Sequence, residues 1–140
     1  MRPTLTHLAL HVPDVEACVV FYEQFCAMRV IHRRAGKGST IVWMAEPDKE
    51  HRFIFVFMPG GQERHLAVDD YSHFGFALAS RDAVDSMAQQ ARRAGCLVWE
   101  PREEPYPVGY YCGVRDPAGH YIEFSYGQPL GPGAEPMLTT

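Results

Sequence analysis

The chain states one pattern twice. Thr6-His7-Leu8-Ala9-Leu10 opens the first half and Ser72-His73-Phe74-Gly75-Phe76 opens the second. Behind each opening comes a stretch with helical spacing of apolar residues, then runs of strand character. The halves close on Phe53-Ile54-Phe55-Val56-Phe57 and Tyr121-Ile122-Glu123-Phe124-Ser125. Two copies of one hydrophobic pattern imply two modules of one topology. Read as a repeat, His7 matches His73 and Phe55 matches Glu123. Two histidines and one carboxylate then hold equivalent positions and the fourth is phenylalanine, the pattern of a metal site with one ligand missing.

Each copy reads as βαβββ. Leu5 to Val12 alternates, with Leu8, Leu10 and Val12 on one face and His7, Ala9 and His11 on the other. Asp14 caps a predicted helix whose stripe is Val15, Cys18, Val19, Tyr22, Phe25 and Cys26. Strands are expected near 29–34, 39–45 and 52–58, with turns at Gly36-Lys37-Gly38 and Glu46-Pro47-Asp48. The second copy has a strand near 72–79, then Ser80 capping a helix that buries Val84, Met87, Ala88 and Ala91 and ends at Gly95. Strands near 96–100, 110–114 and 120–126 complete it. The fold class is therefore α+β: two βαβββ modules forming curved mixed sheets around a concave cavity, with helices outside. A single domain is expected, with module one at 4–59, a connector at 60–70, module two at 71–127 and a loose tail at 128–140.

Composition excludes several classes. The 140 residues are 46% hydrophobic and 21% charged, which suits a compact domain. No run reaches the roughly 18 apolar residues of a membrane span, and no signal-peptide core opens the chain. A net charge of −4, with Arg33-Arg34 and Arg92-Arg93 as the basic clusters, speaks against a nucleic-acid partner. The four cysteines lack CxxC spacing, so reduced thiols and a cytoplasmic location are expected.

Strand parity makes a site from this pattern. Bulky Leu8, Leu10, Phe74, Phe76 and Leu78 should pack beneath the helices. On the opposite faces, His7 and His73 are followed by small Ala9, Gly75 and Ala77, which leave room. Tyr121, Glu123 and Ser125 share a face. Their first-half counterparts, Phe53, Phe55 and Phe57, form either the apolar wall of a pocket, together with Tyr121, or a core.

Leu5-Thr6-His7-Leu8-Ala9-Leu10, Phe21-Tyr22, Asp70-Tyr71-Ser72-His73-Phe74-Gly75-Phe76 and Asp116-Pro117-Ala118-Gly119-His120-Tyr121-Ile122-Glu123 resemble the vicinal oxygen chelate superfamily. That superfamily includes glyoxalase I, extradiol dioxygenases, fosfomycin-resistance enzymes and bleomycin-resistance proteins. The resemblance covers roughly residues 4–127. It implies one divalent metal ion (iron, manganese, nickel or zinc) held by His7, His73 and Glu123, and a homodimer. Two imidazoles and one carboxylate leave adjacent coordination positions open, which suits a small substrate chelating through neighbouring oxygens. His11 and Tyr111 are candidate catalytic groups beside Glu123, with a strand-end surface position as the plainer role for His11 and packing for Tyr111. His120 reads as structural.

Departures narrow the activity. Phe55 replaces the glutamate of glyoxalase I, Ala9 a threonine of the fosfomycin-resistance enzymes, and Gly113 the signature tyrosine of extradiol dioxygenases. Pro132 stands where a phosphonate-binding arginine would be sought. Two functions remain: a metalloenzyme of lyase, isomerase, addition or dioxygenase type, or a metal-free protein binding a small aromatic molecule as bleomycin-resistance members do.

Overall fold

Each module closes by pairing its first strand with its last. In the computed structural model, which describes residues 1–36, 39–131 and 134, the element order is β1 (His7–Val12), α1 (Val15–Cys26), β2 (Arg29–Gly36), β3 (Ser39–Ala45), β4 (Ile54–Pro59), β5 (Phe74–Ala77), α2 (Arg81–Ala94), β6 (Leu97–Glu104), β7 (Gly109–Arg115) and β8 (Tyr121–Tyr126). Two four-stranded sheets result, in the orders β1-β4-β3-β2 and β5-β8-β7-β6. In both, the first pair is parallel and the others antiparallel. The α+β class with two βαβββ modules stands. The contacts divide the chain into two compact units, Met1–Arg64 and His65–Thr140. No helix among the described residues is long and apolar enough to cross a membrane.

In the first unit, Leu10 and Val12 are buried while His7, Ala9 and His11 are exposed, as the alternation requires. The buried stripe of α1 (Val15, Cys18, Val19, Phe21, Tyr22, Phe25) packs on this inner face. Tyr22 is fully buried and meets Phe55 edge-on at 5.6 Å and Phe57 at 5.2 Å. Cys26, placed in the stripe by spacing, is only half-buried because it lies in the last turn. In the second unit, Val84, Ala88 and Ala91 of α2 are buried over a sheet face whose Cys112, Val114, Ile122 and Phe124 are all inaccessible. Desolvation pushes the Cys112 thiol up to about 12, so it stays protonated and inert. None of the four cysteines forms a disulfide.

Register corrects the repeat. Gly75 pairs with Glu123 in the second sheet, and Ala9 pairs with Val56 in the first. The counterpart of Glu123 is thus Val56, not Phe55, because parallel pairing opposite the small residue after the histidine sets the equivalence. Strand limits shift for local reasons. β5 starts at Phe74 rather than 72, since the Ser72 amide is tied to the Asp70 carboxylate in a turn. β6 runs on to Glu104 through two register shifts. The tail expected to be loose is packed at its start, where a Cβ on Gly131 would come within 2.4 Å of Ala77 Cβ, and Ala134 is buried. Lys37 and Gly38 of the first turn, and Pro132, lie outside the described residues.

The two helices end differently. α2 stops at Gly95 with φ 76°, which glycine adopts without penalty. α1 stops at Ala27 with φ 52°, where a methyl side chain costs about 1 kcal/mol. Ala27→Gly should therefore raise stability by roughly 0.5–1 kcal/mol, while Gly95→Ala lowers it by a similar amount. Urea-denaturation midpoints check both.

Candidate functional site

The second unit brings His73 and Glu123 side by side. His73 sits one residue before β5, in a segment shaped by the bond from the Ser72 amide to Asp70 Oδ1 at 3.0 Å. That bond holds the Asp70 carboxyl below its usual range. The His73 Nδ1–H donates to the Tyr71 carbonyl at 2.5 Å, which leaves the Nε2 lone pair free for a ligand. Nε2 points at Glu123 Oε1, 3.7 Å away. Two donors of one divalent ion, each about 2.1 Å from it, stand roughly 3–4 Å apart. The pair fits that spacing.

Glu123 is 8% exposed at the middle of β8. Its other oxygen, Oε2, accepts from Gln128 Nε2 at 3.2 Å. Gly127, with φ 101°, turns the chain so that Gln128 reaches back to β8. Opposite, a Cβ on Gly75 would lie 3.2 Å from Oε2, so glycine there is the residue that leaves the carboxylate its place. Oε2 is thus held and Oε1 is offered beside the imidazole.

Trp99 supports the same corner. A Cβ on Gly113 would come within 2.1 Å of its ring, so the glycine lets the indole lie across β7. The ring meets His73 edge-on at 5.7 Å and Tyr121 at 5.4 Å. Its Nε1–H donates to the Val68 carbonyl at 3.3 Å, and the Tyr121 hydroxyl donates to the Leu66 carbonyl at 2.8 Å. Both tie the connector onto the second sheet. Tyr121 is therefore a buried fastening residue rather than an open pocket wall. Tyr111 pairs with Ser125 one step from the Gly113–Glu123 pair, so it shares the Glu123 face. Tyr110 faces α2 instead, bonded to Asp85 beneath Arg81.

His7 belongs to the first unit, on the exposed face of β1, with Nδ1 paired to Thr6 Oγ1 at 3.0 Å. That contact occupies Nδ1 and leaves Nε2 outside it. Among the described residues no three His, Cys, Asp or Glu side chains gather into a metal-sized group. The structure shows a histidine–glutamate pair in one unit and an exposed imidazole in the other.

Other expected residues are placed elsewhere. Phe55 and Phe57 are 5% and 0% exposed beneath α1, on the face opposite His7. They are core, because Phe55 pairs with Leu8 and Phe57 with Leu10. Phe53, just outside β4, is half-buried and lines a hollow with His7. His11 lies four strand residues from His7, roughly 13 Å along the strand, and its Nε2 contacts the Pro59 carbonyl at 3.1 Å. It is not placed to serve a reaction at His7. His120 is structural, with Nδ1 2.9 Å from buried Asp116. Gln128 and Trp99 did not emerge from the sequence as site residues. The glycines at 75, 113 and 127 were their signal, since each makes space or a turn for one of these contacts.

Residues 4–124 match the family model of the Glyoxalase/Bleomycin resistance protein/Dioxygenase superfamily. The chain belongs to that superfamily. It is 77% identical over 137 residues to the uncharacterized protein PA2024 of Pseudomonas aeruginosa, covering 98% of both chains. It is 25% identical over 131 residues to glutathione transferase FosA of Serratia marcescens, covering 91% of this chain and 83% of that one. A variant of the fosfomycin resistance protein FosX of Listeria monocytogenes, solved with manganese(II) and a dihydroxypropylphosphonic acid, superposes with a TM-score of 0.72 at 17% identity, covering 91% of this chain and 95% of that one. That superposition establishes the shared fold. The superfamily includes metalloenzymes, which makes an enzyme the expectation for this member.

The bonds that hold the pair are testable. Gln128→Leu and Asp70→Ala each remove a contact that orients one side chain of the pair, and a zinc or manganese ion held by that pair should then bind about tenfold or more weakly. Competition titrations measure it. Asp70→Asn keeps an acceptor and should lose less. Because folding holds the Asp70 carboxyl low, its contribution is complete above the ordinary carboxylate range. It is lost only as pH falls through the depressed value.

Proposed function

We propose that the chain is a divalent-metal-dependent enzyme acting on a small substrate that chelates through neighbouring oxygens. Its ligands are His73, Glu123 and the His7 of a first unit. The observation that carries this reading is the His73 Nε2–Glu123 Oε1 pair at 3.7 Å, with His73 Nδ1 committed to a carbonyl. A buried carboxylate beside an imidazole also suits a plain ion pair, but such a pair wants a direct hydrogen bond near 2.8 Å. Here the two atoms are too far apart for that and suitably spaced to share an ion.

A bound ion would supply Lewis acidity toward a substrate oxygen. The chain's own residues then set geometry. Gln128 keeps Glu123 to one offered oxygen, which leaves coordination positions for a two-oxygen substrate. Trp99 and Tyr121 keep the inner side of His73 dry. Tyr111, on the Glu123 face, is the phenol proposed to hydrogen-bond the substrate. Val56 stands at the fourth ligand position and can neither coordinate nor move a proton, so glyoxalase chemistry that needs two carboxylates is not proposed.

Two relatives support this class. The Listeria variant was solved with manganese and a vicinal diol, and the Serratia relative is a glutathione transferase. A divalent metal and a chelating substrate suit that Listeria complex, and our proposal is one ion of iron, manganese, nickel or zinc in a homodimeric protein. The antibiotic is not carried over, given Ala9.

Elemental analysis of protein purified without chelators should find about one metal per chain. His73→Ala and Glu123→Gln should each abolish that content while keeping a thermal midpoint near that of the metal-free wild type. Undiminished metal in His73→Ala contradicts the assignment, and a wild-type protein that resists loading favours ligand binding without turnover.

A further inference from the structure

The exposed face of the first sheet carries a second feature. Two adjoining hollows of about 260 and 370 Å³ share Trp43, Glu50 and His51. One runs to His7, Arg52 and Phe53, the other to His32. Register explains the trough: Ala9, Val56, Trp43 and His32 form one row across the sheet, small at one end and aromatic at the other. Trp43 is 40% exposed, and His32 stands edge-on to it at 5.3 Å. The indole is braced from one side and open on the other. Charge in the trough is one-sided. The Glu50 carboxylate is neutralised by Arg29 and held below its usual range by that bond. The Arg52 guanidinium has no ion-pair partner among the described residues; His7 and His51 line the first hollow with it, and His32 and His51 line the second.

We propose that this trough binds a small aryl anion, its ring on Trp43 and its acidic group on Arg52 and His51. An exposed indole favours a flat ring, and an unmatched guanidinium favours a carboxylate-like group held by two hydrogen bonds. The volume suits one ring with one or two short substituents. Because the trough ends at His7, the proposal names the substrate class of the metal site, and it rests on the metal reading for that step alone.

The test uses the full chain after chelator treatment, titrated with benzoate, benzyl alcohol and acetate by calorimetry and tryptophan fluorescence. Benzoate should bind at least about tenfold more tightly than either of the others, the size of one charged or one stacking contact. Arg52→Ala should erase its advantage over benzyl alcohol, and Trp43→Ala its advantage over acetate. Trp43→Phe should restore most of the latter. All three variants should keep wild-type zinc affinity. Equal binding of the three probes, or benzoate binding unmoved by Arg52→Ala, overturns the proposal. So does a Trp43 already shielded from acrylamide, since another copy or protein would then cover the face. A chain that takes metal without preferring benzoate overturns the trough alone. One that prefers benzoate but takes no metal overturns the metal reading and upholds the trough.

Discussion

The parallel pairing of first and last strand is the constraint on which each module depends. It brings the two ends of a βαβββ unit together, and it decides which residue stands opposite which. In the second unit it sets Gly75 against Glu123, so the carboxylate has space and shares a face with His73. In the first it sets Phe55 against Leu8 and Phe57 against Leu10, which sends both rings under α1. One geometric rule thus yields a polar corner in one module and an aromatic core in the other.

Pairing alone would leave the polar corner mobile. Its residues are held by short local bonds: Asp70 to the Ser72 amide, Tyr71 to His73 Nδ1, and Gln128 to Glu123 Oε2. Each donor group is pinned at the atom that does not face the other. Placing an imidazole nitrogen and a carboxylate oxygen 3.7 Å apart without a hydrogen bond forgoes stability. Proteins accept that kind of cost at functional sites. Among the described residues the first unit shows no comparable corner, and its exposed indole and unmatched guanidinium instead give it a binding surface.

Much of the fold was legible in the sequence because periodicity and caps carry it. Asp14 and Ser80 cap their helices through bonds to Ala17 and Ala83, and Gly95 ends α2. His73 and Glu123 were legible as neighbours because the alternation that opens the second half puts His73 in phase with Gly75, which pairs with Glu123. The Phe55 equivalence failed because alternating aromatics such as Phe53-Ile54-Phe55-Val56-Phe57 read identically one residue out of register, and only the parallel partner settles it. Gln128 was hidden for another reason. Its contact depends on a reversal at Gly127, which no hydrophobic period reports. His11 shared a face with His7, but parity says nothing of the distance along a strand.

Everything proposed for the site depends on His73 offering Nε2 to a metal with Nδ1 protonated toward Tyr71. Long-range proton–nitrogen spectra of histidine-labelled protein, recorded before and after one equivalent of zinc, test it most directly. The His73 Nε2 resonance should move to the range of a metal-bound imidazole nitrogen, with Nδ1 staying protonated. His7 should follow, and His11 and His120 should stay unchanged. A His73 ring that titrates as an ordinary free imidazole in the presence of zinc would contradict it.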